Sequence, residues 1–254
     1  VSIGNYVALV FPKFLLNTPE FSQTRKYLSD KAVECIIDFG EKGFPGVLVE
    51  TLAIFINNLS RPSNTRVASI THGKFMIQSQ KYIFDDKLPY WIIYRDNEFD
   101  SVCKNLDFNV FKVFRDRQIT NKLLSPSGDI RVLKSRNISD DGKNVMDIDG
   151  YDSYISYDDA KNLSVYSYLD CDNVYLTPNM TYKPRMIEKP KECLVNGSLA
   201  VLIPKKGIIP TKEQLAFFST QEYRNFYQIA RNFQTRSLNV DACSVFFYGL
   251  LRDK

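Results

Sequence analysis

A chain of 254 residues, 44% hydrophobic and 24% charged, is long and apolar enough for one large domain or two small ones with real cores, which excludes a disordered or fibrous protein. The formal net charge of +4 is too small to identify a partner by itself, and no apolar run approaches the ~20 residues of a membrane span. Five cysteines, none in C-x-x-C, and a lone histidine, His72, exclude paired-histidine zinc sites and point to a reduced, metal-free, cytoplasmic protein; His72 itself reads as the end of a strand.

The opening residues, Val1-Ser2-Ile3-Gly4-Asn5-Tyr6, lack a basic n-region and a cleavage site. With no initiator Met and a strand starting almost at once, the chain reads as a piece of something longer. Residues 6–11 (YVALVF) are a continuous apolar run, the pattern of a strand buried on both faces. Asn17-Thr18-Pro19 starts a helix over 19–31, in which Phe21, Arg25 and Leu28 fall at helical spacing. Residues 33–38 (VECIID) form a second buried strand, and strand, helix, strand predicts a βαβ unit in a mainly parallel sheet. Residues 48–56 and 66–72 read as a hairpin on its edge. A short aromatic strand at 90–94 and a helix at 97–106 follow, with the linker placed at 85–107. Beyond it, turn signals such as Ser125-Pro126-Ser127-Gly128 and Asp140-Asp141-Gly142 separate short strands, before a helical pair over 211–232 and a last strand at 244–249.

Charge is distributed in blocks. Between 104 and 136 the basic residues dominate, between 139 and 173 nine aspartates face only Lys143 and Lys161, and 183–236 is basic again. Such alternation suits one face that meets a polyanion and another that does not. Residues 40–46 (GEKGFPG) have the glycines of a phosphate loop, but their G-x-x-G-x-x-G spacing and the strand that follows fit a glycine-hinged hairpin entrance presenting Phe44 better.

The succession YVALVFPKFLLNTPEFSQTRKYL, then VECIIDFGEKGFPGVLVETLAIFI, resembles the segment after the catalytic motif in N6-adenine DNA methyltransferases of restriction-modification systems. More narrowly, it resembles the group associated with the Alw26I, Eco31I and Esp3I type II systems. Phe11-Pro12, Arg25, Leu28, Asp38, Phe44 and Thr51 stand at the family's positions. Further on, GDIRVLKSRNISDDG, MTYKPRMIEKPKECLVNGSLAVLIPK and NFQTRSLNVDACSVFFYGL resemble target-recognition domains of such enzymes and of type I specificity subunits. The family's (N/D)-P-P-(Y/F) motif and its loop for S-adenosylmethionine are both absent, the nearest approach to the former being Leu88-Pro89-Tyr90.

The resemblance implies an α/β fragment over 1–84, the C-terminal strands and helix of a Rossmann-like methyltransferase core, followed by an α+β target-recognition domain over 108–254. It implies no catalytic residue and no cofactor site in this chain, S-adenosylmethionine being bound in the complete protein. The implied partners are double-stranded DNA, the N-terminal catalytic portion and a cognate restriction endonuclease, with no membrane. Phe44 matches the aromatic residue that stacks on a flipped adenine, a contact worth ~1–3 kcal/mol per base. Sequence reading falls to side chains able to reach base edges or phosphates. The candidates are Arg117, Thr120, Asn121 and Lys122; Arg131, Lys134, Arg136 and Asn137; Asn179, Tyr182, Lys183 and Arg185; and Arg231 and Arg236. Two alternatives stand beside this reading. A free-standing specificity subunit should carry two recognition domains and long spacer helices, neither of which is visible. A metal-dependent nuclease would use Asp38 with Asp85-Asp86-Lys87, a D…(D/E)-x-K pattern that reads equally well as a turn.

Overall fold

The computed structural model describes residues 5–46, 48–234 and 239–252. They form two compact units: Val1–Ser101 with Gln228–Leu238, and Val102–Tyr227 with Asn239–Lys254.

In the first unit, β1 (Tyr6–Pro12) leads through α1 (Ser22–Ser29) to β2 (Ala32–Gly40), followed by β3 (Thr51–Asn57), β4 (Asn64–Ser69) and β5 (Lys74–Ser79). Pro19 opens the turn that feeds α1, where its missing N–H costs no helical hydrogen bond. The buried guanidinium of Arg25 donates to Leu15 O and Thr18 O, both at 2.8 Å, and so fixes the entry to α1.

The sheet order is β1-β3-β2-β4-β5, and only the β2–β4 pairing is parallel. The mainly parallel sheet expected from the βαβ pattern is therefore corrected to a mixed one. β3 folds back on β2 through the glycine bend and fills the space between β1 and β2. That leaves β4 the other edge of β2, so the expected β3–β4 hairpin does not form; the edge hairpin is β4–β5, and His72 lies in its turn rather than ending a strand.

The register also separates the faces. The row Leu9, Ile54, Ile36, Val67, Met76 lies on the covered side, with Ile54, Ile36 and Val67 fully buried. The rows Val10, Ala53, Ile37, Ala68, Phe75 and Ala8, Phe55, Cys35, Arg66, Ile77 lie on the opposite side, where Val10, Phe55, Phe75 and Ile77 are exposed. β1, expected to be buried on both faces, is thus an edge strand with an apolar, largely uncovered surface.

A short helix, α2 (Gln80–Ile83), precedes residues 90–94, which are all buried but form no strand. Their backbone is satisfied in part by the buried amide of Asn232, which accepts from Ile93 N at 2.8 Å and donates to Trp91 O at 2.7 Å, while Ile92 N donates to Ile83 O at 3.0 Å. A side-chain amide from distant sequence takes the part of a neighbouring strand, as a buried peptide requires.

Helix α3 (Asn97–Lys104) is followed in the second unit by short elements: β6 (Leu106–Asp107), β7 (Phe111–Phe114), β8 (Ile130–Leu133), β9 (Ser153–Ile155), α4 (Tyr157–Ala160), β10 (Tyr175–Pro178), β11 (Ile187–Glu188), β12 (Cys193–Val195) and β13 (Leu199–Pro204). The helical pair is α5 (Lys212–Phe217) and α6 (Gln221–Ala230), and the last strand is β14 (Leu250–Leu251). The strands assemble into sheets of order β11-β10-β13-β7, β12-β8-β9 and β14-β6. Val132, Leu133, Leu176, Leu194, Leu199 and Val201 meet in one core.

The strand expected at 244–249 is a 3-10 turn over Ser244–Phe247. Asp241 explains it: its carboxylate accepts from Cys243 N and Ser244 N, while Ser244 Oγ accepts from Asp241 N. Such reciprocal side-chain bonds compete with extended backbone.

Candidate nucleic-acid interface

At the carboxyl ends of β1, β2 and β4 the first unit buries a charged network. Lys13 Nζ lies 2.7 Å from Asp38 Oδ2 and 3.8 Å from Glu50 Oε1. The Tyr94 hydroxyl donates to Asp38 Oδ2 at 2.5 Å, and Gly40 N donates to Asp38 Oδ1 at 2.9 Å. Burial, reinforced by the Asp38 charge, pushes the Tyr94 phenol well above its usual range, so it stays a neutral donor. His72 is held below the usual imidazole range, first by burial and then by the Lys13 charge. Its ring lies 5.0 Å from that of Phe233, which also meets Tyr94 edge-on and lies under Lys74. Sequence reasoning missed Lys13, Glu50 and Tyr94 as a group. The one local signal was a charge at the end of each of two apolar runs, Lys13 after β1 and Asp38 in β2.

This network grips the base of the Gly40–Gly46 bend. Gly40 is left-handed (φ +54°), and a Cβ there would sit 2.5 Å from Thr71 Cγ2; a Cβ on Gly43 would collide with Thr51 Oγ1. The space at these two glycines is filled by the chain's own threonines, and β3 follows. The bend therefore does not fit the cradle that S-adenosylmethionine or a phosphate would need. What it exposes is Phe44, at 48% of its surface, with Leu48 and Val49 beyond it.

The second unit sorts the remaining candidates into braced and exposed residues. Asn137 is fully buried; its amide donates to Asp152 Oδ1 at 2.6 Å and Met146 O at 2.9 Å and accepts from Lys134 N at 2.9 Å. Arg131 pairs with Asp147 at 2.6 Å and Asp152 at 2.7 Å. Lys134 Nζ donates to Tyr151 O and Ser153 Oγ, and burial lowers its pKa. Arg185, 7% exposed, donates to Lys183 O, Ser135 O and Ile138 O, and burial holds its guanidinium below the usual range. Asn179 is buried between Gly197 O, Asn239 and Val240 N. These five, expected at the DNA surface, build the frame of their loops. The sequence showed the residue types but not the carbonyls and carboxylates that engage them.

Arg136, Tyr182, Lys183, Arg117, Thr120, Asn121 and Lys122 are exposed. Arg185 ties the turn of Arg136 to the segment of Lys183, bringing two of the predicted loops together. Asp116 shapes the loop of Arg117, its carboxylate accepting from Gln118 N and Ile119 N. Tyr151, not anticipated, lies under both Lys134 and Arg136. Arg231 is buried in a segment that belongs to the first unit, and Arg236 lies outside the described residues.

The nuclease pattern is not assembled. Asp85 is paired with Arg95 at 2.8 Å and caps Lys87 N, while Asp38 is buried on Lys13. Among the described residues, no three His, Cys, Asp or Glu side chains are grouped to hold a metal ion. Nor is any helix among them long and apolar enough to cross a membrane.

No protein-family model matches the sequence, and no curated protein is similar to it. Among solved structures, the chain is similar to the type IIG restriction endonuclease BpuSI, with TM-score 0.34 and 10% identity over 98% of this chain and 40% of that one. It is also similar to the type IIL restriction-modification enzyme MmeI, solved in complex with DNA, with TM-score 0.45 and 11% identity over 96% of this chain and 38% of that one. The chain spans about two fifths of the length of each.

Proposed function

We propose that this chain is the DNA-reading part of an adenine-N6 DNA methyltransferase of a restriction-modification system. The observation that carries the reading is Phe44, exposed on a bend whose base is fixed by Asp38, Thr51 and Thr71. An aromatic ring held in this way can stack on an adenine extruded from the duplex and recover part of the unstacking cost. The second unit supplies cationic and aromatic side chains on braced loops, suited to phosphates and base edges.

The sequence resemblance supports a catalytic portion that supplies S-adenosylmethionine and the transfer chemistry. We infer that this portion covers the sheet face carrying Val10, Phe55, Phe75 and Ile77, which are exposed, and pairs with the edge of β1 that no described strand occupies. Exposed apolar side chains on one face of a sheet that ends in an apolar edge strand mark a surface built to be covered.

The test uses duplexes carrying 2-aminopurine opposite an abasic site, where flipping is cheap. Phe44→Ala should abolish most of the fluorescence change on binding and weaken that complex by ~1–3 kcal/mol, with affinity for intact duplex nearly unchanged. Equal losses on both duplexes would make Phe44 a merely structural residue.

A further inference from the structure

We propose that Arg136 is a specificity-determining residue of this chain and that the base it reads is guanine. The inference rests on the reading above that the second unit binds duplex DNA.

Its basis is a contrast among neighbouring cations. Arg131 is spent on Asp147 and Asp152, Lys134 on Tyr151 O and Ser153, Lys183 on Asp140 at 2.8 Å, and Arg185 on three carbonyls. Arg136 is exposed, and no ion pair among the described residues engages it. Its guanidinium carbon lies 4.7 Å from the centroid of the Tyr151 ring.

The backbone beneath it is fixed on both sides. Asn137 bridges Lys134 N to Met146 O and Asp152, and Arg185 binds Ser135 O and Ile138 O. A planar fork of donors is thus presented from a braced turn and steadied by an aromatic face, which reduces the ordering cost of a specific contact.

The surroundings distinguish a base edge from a phosphate. The four neighbouring cations, Arg131, Lys134, Lys183 and Arg185, are matched in number by Asp140, Asp141, Asp147 and Asp152, of which Asp147 and Asp152 pair with Arg131 and Asp140 pairs with Lys183. A patch so balanced, in which the Arg136 guanidinium is exposed and outside any ion pair among the described residues, attracts a phosphate weakly. It can still donate two parallel hydrogen bonds, the pattern that guanine O6 and N7 accept in the major groove.

The test begins with the 254-residue chain and a duplex that it selects from a randomised pool, and continues with Arg136→Ala and Arg136→Lys. At one guanine of that duplex, substitution by adenine should cost the wild type about 5- to 150-fold in affinity and the alanine variant almost nothing. Replacing the same guanine by 7-deazaguanine, which removes N7, should weaken the wild type and leave Arg136→Ala unaffected. Arg136→Lys should not restore the discrimination, because an ammonium lacks the fork. A common loss on every duplex, with a shallower salt dependence, would make Arg136 a phosphate contact and overturn the proposal while leaving DNA binding intact. An unchanged sequence preference in Arg136→Ala would also overturn it. Failure of the wild type to retain any duplex would remove the DNA-binding reading and this proposal together.

Discussion

Replacing Lys13 by Met tests whether the buried charges at the carboxyl end of the first sheet hold that unit together. Lys13 and Asp38 are 1% and 0% exposed and 2.7 Å apart. At that separation an effective dielectric of ~20 gives an attraction of about 6 kcal/mol, most of it offset by desolvation of the two ions. Removing Lys13 leaves Asp38 buried without its counter-charge and takes one cation from buried Glu50, which costs ~3–5 kcal/mol. The Tyr94 hydroxyl and Gly40 N still donate to Asp38, so the low end, ~3 kcal/mol, is expected.

The sequence contains one tryptophan, Trp91, buried in this unit and stacked on Phe84 at 3.7 Å, so its fluorescence reports unfolding of the first unit. In a urea titration the midpoint should fall by ~1–3 M, given a slope of ~1–3 kcal/mol/M. Lys13→Met combined with Asp38→Asn should recover part of the loss, because both charges of the closer pair are then gone and only Glu50 keeps its charge. A midpoint shift under ~0.5 M, or a double variant whose loss is the sum of the two single losses, would refute the reasoning.

Arg185→Met should cost ~2–3 kcal/mol by calorimetry, because it strands buried carbonyl groups, whereas Lys183→Met, which breaks only an exposed pair, should stay within ~0.5 kcal/mol of wild type. Equal effects would mean that Arg185 does not brace the loop. On the uncovered sheet face, Phe75→Lys with Ile77→Lys should leave the Trp91-monitored midpoint within error and weaken association with a separately expressed catalytic portion. A large drop in the midpoint would show that these side chains serve this unit's own stability.

Local chemistry made much of the frame readable. Pro19 announced the entry to α1, the spacing of Arg25 and Leu28 announced its buried side while Phe21, placed with them, is a half-buried residue of the turn before it, and the glycines of 40–46 announced the hairpin bend that exposes Phe44. Strand order was not readable, because the insertion of β3 between β1 and β2 depends on pairings that no window of sequence contains. The same limit explains residues 90–94, whose apolar run looks like a strand until Asn232 is seen to satisfy part of its backbone. It explains the candidate interface as well. Arg131, Asn137, Asn179 and Arg185 are the residue types that read DNA, and they are equally the types that hold loops. Only their distant partners, such as Asp152 for Asn137 and Ile138 O for Arg185, decide between the two uses.

The most direct test of DNA recognition is to incubate the purified chain with a randomised duplex pool at moderate salt and to sequence what it retains. Enrichment of one short motif containing adenine, with affinity falling steeply as salt rises, is the expected result. No retention of duplex even at low salt would contradict it.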